Sequence, residues 1–222
     1  MRFSFRMELS NAMRAHARRG ALTLLLCSLV TPSAHSQHWE RTNGPHDAIF
    51  SLFSSGRIVF AGGMNGIYRS TNNGASWAIV DTTIDLADSV IGAVYAFAEN
   101  NENLFAGGWY GIDRSTDNGL SWSPSYRAPK GPSEIMAFSL SGSNIFAGSW
   151  IYGVLCSTDN GANWTRDGLS PQDVRALTMV GTTLFAGGTF SGVSRSTDSG
   201  KSWKAMNSGL RNRRVSSLLS DN

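Results

Sequence analysis

Two carboxylates, Glu134 and Asp173, stand in the same place of successive copies of a repeated stretch, each immediately ahead of an alternating apolar segment. Two carboxylates separated by roughly 5–10 Å are what hydrolysis of a glycosidic bond needs, one as acid and one as base or nucleophile. Acidic residues at strand starts are also common solvated groups, and the other copies hold Ala48, Ala93 and Arg214 there. Catalysis is therefore not expected, and these two residues stand as the candidates if it occurs. A second set is aromatic: Trp109, Tyr110, Trp150, Tyr152 and Phe190 fall in short connections between expected strands. Flat rings there can stack on a sugar or a partner side chain, or fill gaps between adjacent sheets.

Other chemistries lack their residues. Beyond residue 36 the histidines are His38 and His46 and the one cysteine is Cys156. A zinc site, a histidine-based nucleophile system and an intrachain disulfide are not expected. Cys156 takes the place of Arg69, Arg114 and Arg195 in the other copies and reads as a tolerated substitution at a strand position. Asp81, Asp85 and Asp88 cluster in the longest loop without the ligand spacing of a calcium site. The 24 glycines include no run joining a strand to a helix, so phosphate cradling is unsupported. No cofactor and no metal are expected.

The elements that must position these residues come from the repeat. Its clearest block is Ser115 to Trp122 (STDNGLSW), with copies at Ser70 to Trp77, Ser157 to Trp164 and Ser196 to Trp203, starting 45, 42 and 39 residues apart. That period is expected of propeller blades. Each copy follows a Phe-Ala-Gly block (Phe60, Phe105, Phe146, Phe185) and an earlier alternating block (Ile49 to Leu52, Val94 to Phe97, Ile135 to Phe138, Val174 to Leu177). The unit thus contains four strands: A, the alternating block; B, the Phe-Ala-Gly block; C, Gly66 to Ser70 and its relatives; and D, beginning at the Trp. The small Ala-Gly pair in B lets neighbouring backbones approach closely. In the C to D turn, Asp117, Asp159 and Asp198 accept backbone N–H groups, as Asn72 does in the first copy. Gly74, Gly119, Gly161 and Gly200 supply a positive φ, and Ser70, Ser115, Ser157 and Ser196 close the loop. Trp77, Trp122, Trp164 and Trp203 bury their rings between sheets.

These residues carry a resemblance. The pattern S-x-D-x-G-x-S/T-W resembles the Asp-box, or BNR repeat, and from about residue 38 to 220 the chain looks like an Asp-box β-propeller, a group that includes sialidases, xyloglucan-cleaving glycosidases, the sortilin ectodomain and the photosystem II assembly propeller. The resemblance implies an all-β fold of four-stranded meander blades about an axis. It also implies that the motif lies away from the ligand face and does no chemistry. The sialidase signature is not reproduced: Tyr126-Arg127-Ala128-Pro129 echoes its arginine stretch but follows the second motif and lacks the Ile. Arg69, Arg114 and Arg195 read as repeat positions rather than an arginine triad.

Four full repeats are expected, about 47–83, 92–126, 133–168 and 172–209, flanked by partial strands at 38–44 (a D-like tail) and 213–220 (an A-like start). A fifth blade stitched from these would lack B and C, so an incomplete or truncated propeller is expected. In a meander the B to C and D to A loops share one end, opposite the motifs. That end, with the aromatics, is where a ligand is expected.

Residues 1–36 read as a secretory signal: a head with five arginines and one glutamate, a largely apolar run at 21–30, and small residues before a cleavage expected between Ser36 and Gln37. Translation starting at Met7 or Met13 leaves the same features. A run of that length is about half a membrane span, and Leu26 before Cys27 argues against a lipid anchor. Without this leader the formal charge of +3 falls to 14 basic against 15 acidic residues. The basic balance therefore belongs to the leader and gives no warrant for a nucleic-acid or membrane-surface partner. Residues 37–222 are expected to form an exported binding or scaffold module for a carbohydrate or protein ligand, in the periplasm, at the cell surface or outside the cell. The alternatives are a glycoside hydrolase with only part of its site present, and an assembly-factor or receptor-like propeller that binds a peptide.

Overall fold

The computed structural model describes residues 43–81, 92–100, 103–129, 131–166, 168–169 and 173–220. The chain divides into two compact units, Met1–Glu40 and Arg41–Asn222. The first lies outside the described residues, and with it the expected export signal, its cleavage point, Cys27 and His38. Most of the expected strand at 38–44, and Asp85 and Asp88, lie outside them too.

The second unit is built from short antiparallel strands in four consecutive sheets. Sheet 1 runs β1 (Ile49–Ser55), β2 (Ile58–Gly63), β3 (Gly66–Ser70), β4 (Ala78–Asp81), and sheet 2 runs β5 (Val94–Glu99), β6 (Leu104–Gly108), β7 (Gly111–Ser115), β8 (Ser123–Arg127). Sheet 3 has β9 (Ile135–Ser141), β10 (Asn144–Ser149) and β11 (Gly153–Ser157); sheet 4 has β12 (Val174–Val180), β13 (Thr183–Gly188), β14 (Gly192–Ser196) and β15 (Lys204–Ala205). Each pairs in simple chain order, as loops of a few residues between alternating strands require. Among the described residues no helix is long and apolar enough to cross a membrane.

Two expectations need correcting at the outer edge. The fourth strands begin one residue after the Trp, and sheet 3 replaces its fourth strand with a single bridge between Cys156 and Thr165. Residues 213–220 form no strand. That segment lies along sheet 4: Val215 N–H donates to Gly188 O at 2.9 Å and Gly192 N–H to Arg213 O at 3.0 Å.

The turn motifs fold as their residues dictate. Asp117 accepts from the N–H of Leu120 (3.0 Å) and Ser121 (2.9 Å) and from the hydroxyls of Ser115 (2.8 Å) and Ser121 (2.6 Å). Asn72 keeps the same acceptor role toward Ser70 Oγ and Ser76 N, both at 2.9 Å. A second left-handed residue precedes each glycine: Asn73, Asn118, Asn160 and Ser199 have φ of 57 to 59°. Asn tolerates that region through its short polar side chain.

These bonds hold the three aspartates well below their ordinary value of 3.8, at about 2. The leading cause is the Ser121 hydroxyl for Asp117, the Asn163 N–H for Asp159 and the Ser202 hydroxyl for Asp198. A depressed folded pKa contributes stability that is complete above the unfolded value and is lost as pH falls through the folded one. The melting temperature is therefore expected to fall between pH 3.8 and about 2, and less steeply once all three aspartates are replaced by Asn. Equal slopes for the two proteins would contradict this origin.

The core sits in the seams between sheets, and each seam repeats the same contacts. A side chain on Gly62, Gly107, Gly148 or Gly187 in the second strand would collide with Val94, Ile135, Val174 or Val215, the first apolar residue of the following unit. This is the close approach that the Ala-Gly pair permits. Toward the outer rim, Gly119, Gly161 and Gly200 of one motif rest on Phe60, Phe105 and Phe146 of the preceding sheet. Trp122 meets Phe60 edge-on, with centroids 6.1 Å apart at 89°. The recurring arginines clamp the same seams: Arg69 Nε donates to Asn118 O and Arg114 Nη1 to Asn160 O, both at 3.2 Å. Cys156, which forms no disulfide, removes that guanidinium from the third seam. Leu52 of sheet 1 is 70% exposed, whereas Leu177 in the equivalent place of sheet 4 is 8% exposed.

Candidate functional site

At the end opposite the motifs, one irregularity recurs in all four sheets. The pairing of first and second strands skips a residue: Phe50 between Ile49 and Ser51, Tyr95 between Val94 and Ala96, Met136 between Ile135 and Ala137, and Arg175 between Val174 and Ala176. A bulge re-aims the side chain of the unpaired residue. It places a different chemical group at the same point of each unit.

Around these four stand the residues that follow the second strands, Met64, Trp109, Trp150 and Thr189, tied in by a shared bond. Met64, Trp109 and Trp150 donate their N–H to the carbonyl just ahead of their own first strand, Ala48, Ala93 and Glu134, at 2.9 to 3.0 Å. The rings meet here. Phe50 and Tyr95 are 5.4 Å apart, and Tyr95 and Trp109 6.4 Å apart, tilted by 56° and 44°. Trp109 is 36% exposed. Trp150 lies under Arg175, whose Cζ is 4.1 Å from the ring centroid.

The two candidate carboxylates behave differently. Asp173 is engaged: its Oδ2 accepts the Thr189 N–H at 2.8 Å, replacing the main-chain carbonyl used in the other sheets, and lies 3.9 Å from Arg175 Nε. Asp47 plays a related part in sheet 1, accepting from Asn65 N at 2.9 Å and the Tyr68 hydroxyl at 3.1 Å. Sequence comparison missed Asp47 because it stands one place earlier than Asp173. Glu134 has a left-handed backbone, φ 40°, unusual for a residue that is neither Gly nor Asn. Its N–H and that of Ser133 both donate to Trp109 O, at 3.0 and 2.8 Å, so its backbone joins the two tryptophan loops. The Tyr95 hydroxyl is pushed above its usual value of 10.0, first by burial and then by the charge of Glu134.

The remaining aromatics divide. Phe190 is 76% exposed and Tyr110 is exposed beside Trp109. Tyr152 packs against the core of sheets 2 and 3 with the Arg166 guanidinium 5.3 Å from its ring, so it fills a gap between sheets. A polar cleft of about 310 Å³ lies at the opposite end, lined among others by Arg114, Thr116, Ser121 and Ser125. Ser121 and Ser125 spend their hydroxyls on Asp117 and Gly161 O, which makes that cleft part of the seam. Among the described residues no group of three or more His, Cys, Asp or Glu is placed to hold a metal ion.

No protein-family model and no curated protein matches the chain. Solved structures do. The extracellular domain of the putative one-component system BT4673 from B. thetaiotaomicron superposes with a TM-score of 0.67 at 14% identity, over 83% of this chain and 26% of that one. The GH74 xyloglucanase from Xanthomonas campestris gives 0.54 at 18% identity, over 67% and 28%. The computationally designed Ika4 protein gives 0.53 at 17% identity, over 70% and 94%. The four sheets are blades of a β-propeller. The chain spans about a quarter of the length of the first of these structures. In propeller terms the bulged residues of blades 1 to 4 and the tryptophans stand together at one end of the blades, and the turn motifs stand at the other.

Proposed function

We propose that the chain is an exported binding module of the Asp-box propeller type that recognises a carbohydrate or polypeptide on its loop face. The observation that carries this reading is the row of rings from Phe50 through Tyr95 to Trp109 on blades 1 and 2, with Tyr110 exposed beside it and Phe190 exposed at the same end of blade 4. Exposed rings on successive blades have no packing need to be met there, and they offer stacking surface to a flat ligand. Export accords with the leader-like residues 1–36 and with the extracellular setting of the BT4673 domain.

A non-catalytic role accords with Asp173, whose carboxylate is engaged by Thr189 and Arg175. A second reading, glycoside hydrolysis, draws on the strained backbone of Glu134, since unusual φ values gather at functional sites. The two are separated by a glycan array beside a pull-down from culture supernatant, and by assay on aryl glycosides. Trp109→Ala and Phe190→Ala are each expected to weaken capture at least about tenfold, the second without changing the melting temperature. Glu134→Gln is expected to leave no hydrolytic activity to lose. Capture that survives both aromatic replacements would sink the loop-face reading, and turnover abolished by Glu134→Gln would install the second.

A further inference from the structure

Two neighbouring seams carry the same parts at the loop end, with one difference. Between blades 3 and 4, the Trp150 ring faces the Arg175 guanidinium at 4.1 Å, and the Asp173 carboxylate stands 3.9 Å from the same guanidinium. The cation lies over the negative face of the indole, and the acid stands beside it at ion-pair distance without a hydrogen bond to Nε. Between blades 2 and 3, the equivalent places hold Trp109, Met136 and Glu134. The ring and the acid are kept, and a thioether stands where the cation would be.

The rest of that seam is consistent with a missing partner. Glu134 makes no side-chain hydrogen bond or ion pair among the described residues. Trp109 continues into Tyr95 and Phe50, a three-ring wall with no counterpart at the next seam, where Met136 stands in the place of Tyr95. A neutral ligand stacked on Trp109 leaves the acid unanswered, whereas a cationic one meets both groups. The near balance of charge in residues 37–222 makes any such attraction local rather than a property of the whole surface.

We propose that the seam between blades 2 and 3 binds a cationic side chain of a polypeptide, a lysine ammonium or an arginine guanidinium, in the position that Arg175 fills one seam further on. This rests on the loop face being the binding face. The occupant is held by the faces of Trp109 and Tyr95 and by Glu134.

The test follows the Trp109 indole N–H by NMR during titration of the exported protein. The probes are N-acetyl-lysine methylamide, N-acetyl-arginine methylamide, the neutral N-acetyl-norleucine methylamide, and a pentapeptide with a central lysine. The cationic probes are expected to shift the resonance, the norleucine amide to bind at least about tenfold more weakly, and added salt to weaken the cationic probes. Met136→Arg supplies the guanidinium from within and is expected to abolish binding. Met136→Leu keeps it, and Glu134→Gln weakens it. Lysine and norleucine amides binding equally, or a folded Met136→Arg protein binding like its parent, overturns the proposal. A glycan or neutral peptide that still depends on Trp109 or Phe190 leaves the loop-face reading standing alone. No response of Trp109, Tyr110 or Phe190 to any glycan or peptide removes both.

Discussion

Gly119→Ala is expected to destabilise the protein by about 2–5 kcal/mol. Two costs combine at this position. Its φ of 73° is a conformation that an L side chain enters only with strain, and a Cβ there would overlap the ring of Phe60 on the preceding blade. The ring cannot retreat, because Trp122 and Phe97 hold it at centroid distances of 6.1 and 6.0 Å. Gly56 is the control: its φ is 57° but nothing lies within 4 Å of an added Cβ. Gly56→Ala should cost about 1–2 kcal/mol of conformational strain alone. For a chain of this size each kcal/mol lowers the melting temperature by about 2–4 °C, so thermal unfolding resolves the pair. Equal losses would show that the turn's backbone matters and its seat on the neighbouring blade does not.

Removing Arg127 is expected to cost about 3–5 kcal/mol, because it takes the guanidinium away from a buried carboxylate. Asp113 on β7 is 2% exposed, and its Oδ1 lies 2.5 Å from Arg127 Nη2 on β8. The same guanidinium donates to the carbonyls of Ile112 and Tyr126 at 3.0 and 3.1 Å. A buried ion pair is weak evidence of net stabilisation, yet breaking one half of it is severe. Blade 3 shows the alternative, since Leu155 occupies the place of Asp113 and is fully buried. Arg127→Met and Asp113→Leu should each be destabilising, and the double variant should recover most of the loss in a double-mutant cycle. Additive losses would mean that the two residues act independently.

The sequence made the repeat legible because the same physical demand recurs at every seam. Gly62, Gly107, Gly148 and Gly187 all face an apolar residue of the next unit, so four copies of one constraint appear as four copies of one block. Features that occur once have no such echo. Asp113 and Arg127 lie 14 positions apart on strands that in other blades pair different residues, and nothing in their spacing announces an ion pair. The arginines Arg69 and Arg114 were visible as repeat positions, but their partners, Asn118 O and Asn160 O, are main-chain atoms on the following blade. Main-chain acceptors leave no trace in composition. The candidate site is legible in part: Trp109, Tyr110 and Phe190 stand exposed at the loop end. The bulges at Phe50, Tyr95, Met136 and Arg175 were hidden, because a skipped residue is a property of the pairing with the neighbouring strand, which the sequence of one strand does not display.

The third seam has further consequences for how the molecule comes apart. It lacks the guanidinium clamp at Cys156, the outer strand of blade 3 is reduced to one bridge, and a Cβ added to Gly200 would meet Phe146 at 3.4 Å, an ordinary contact, where one added to Gly119 or Gly161 would overlap its ring. In an array whose units touch only their neighbours, cooperativity is a product of individual couplings rather than a property of the whole. The seam that carries blade 4 is therefore tied least at its rim and is held from its interior, where Phe146, Val154, Val174 and Leu184 form one buried cluster. Its hold on blade 4 comes from Val174 closing on Gly148 and from Arg175 lying over Trp150.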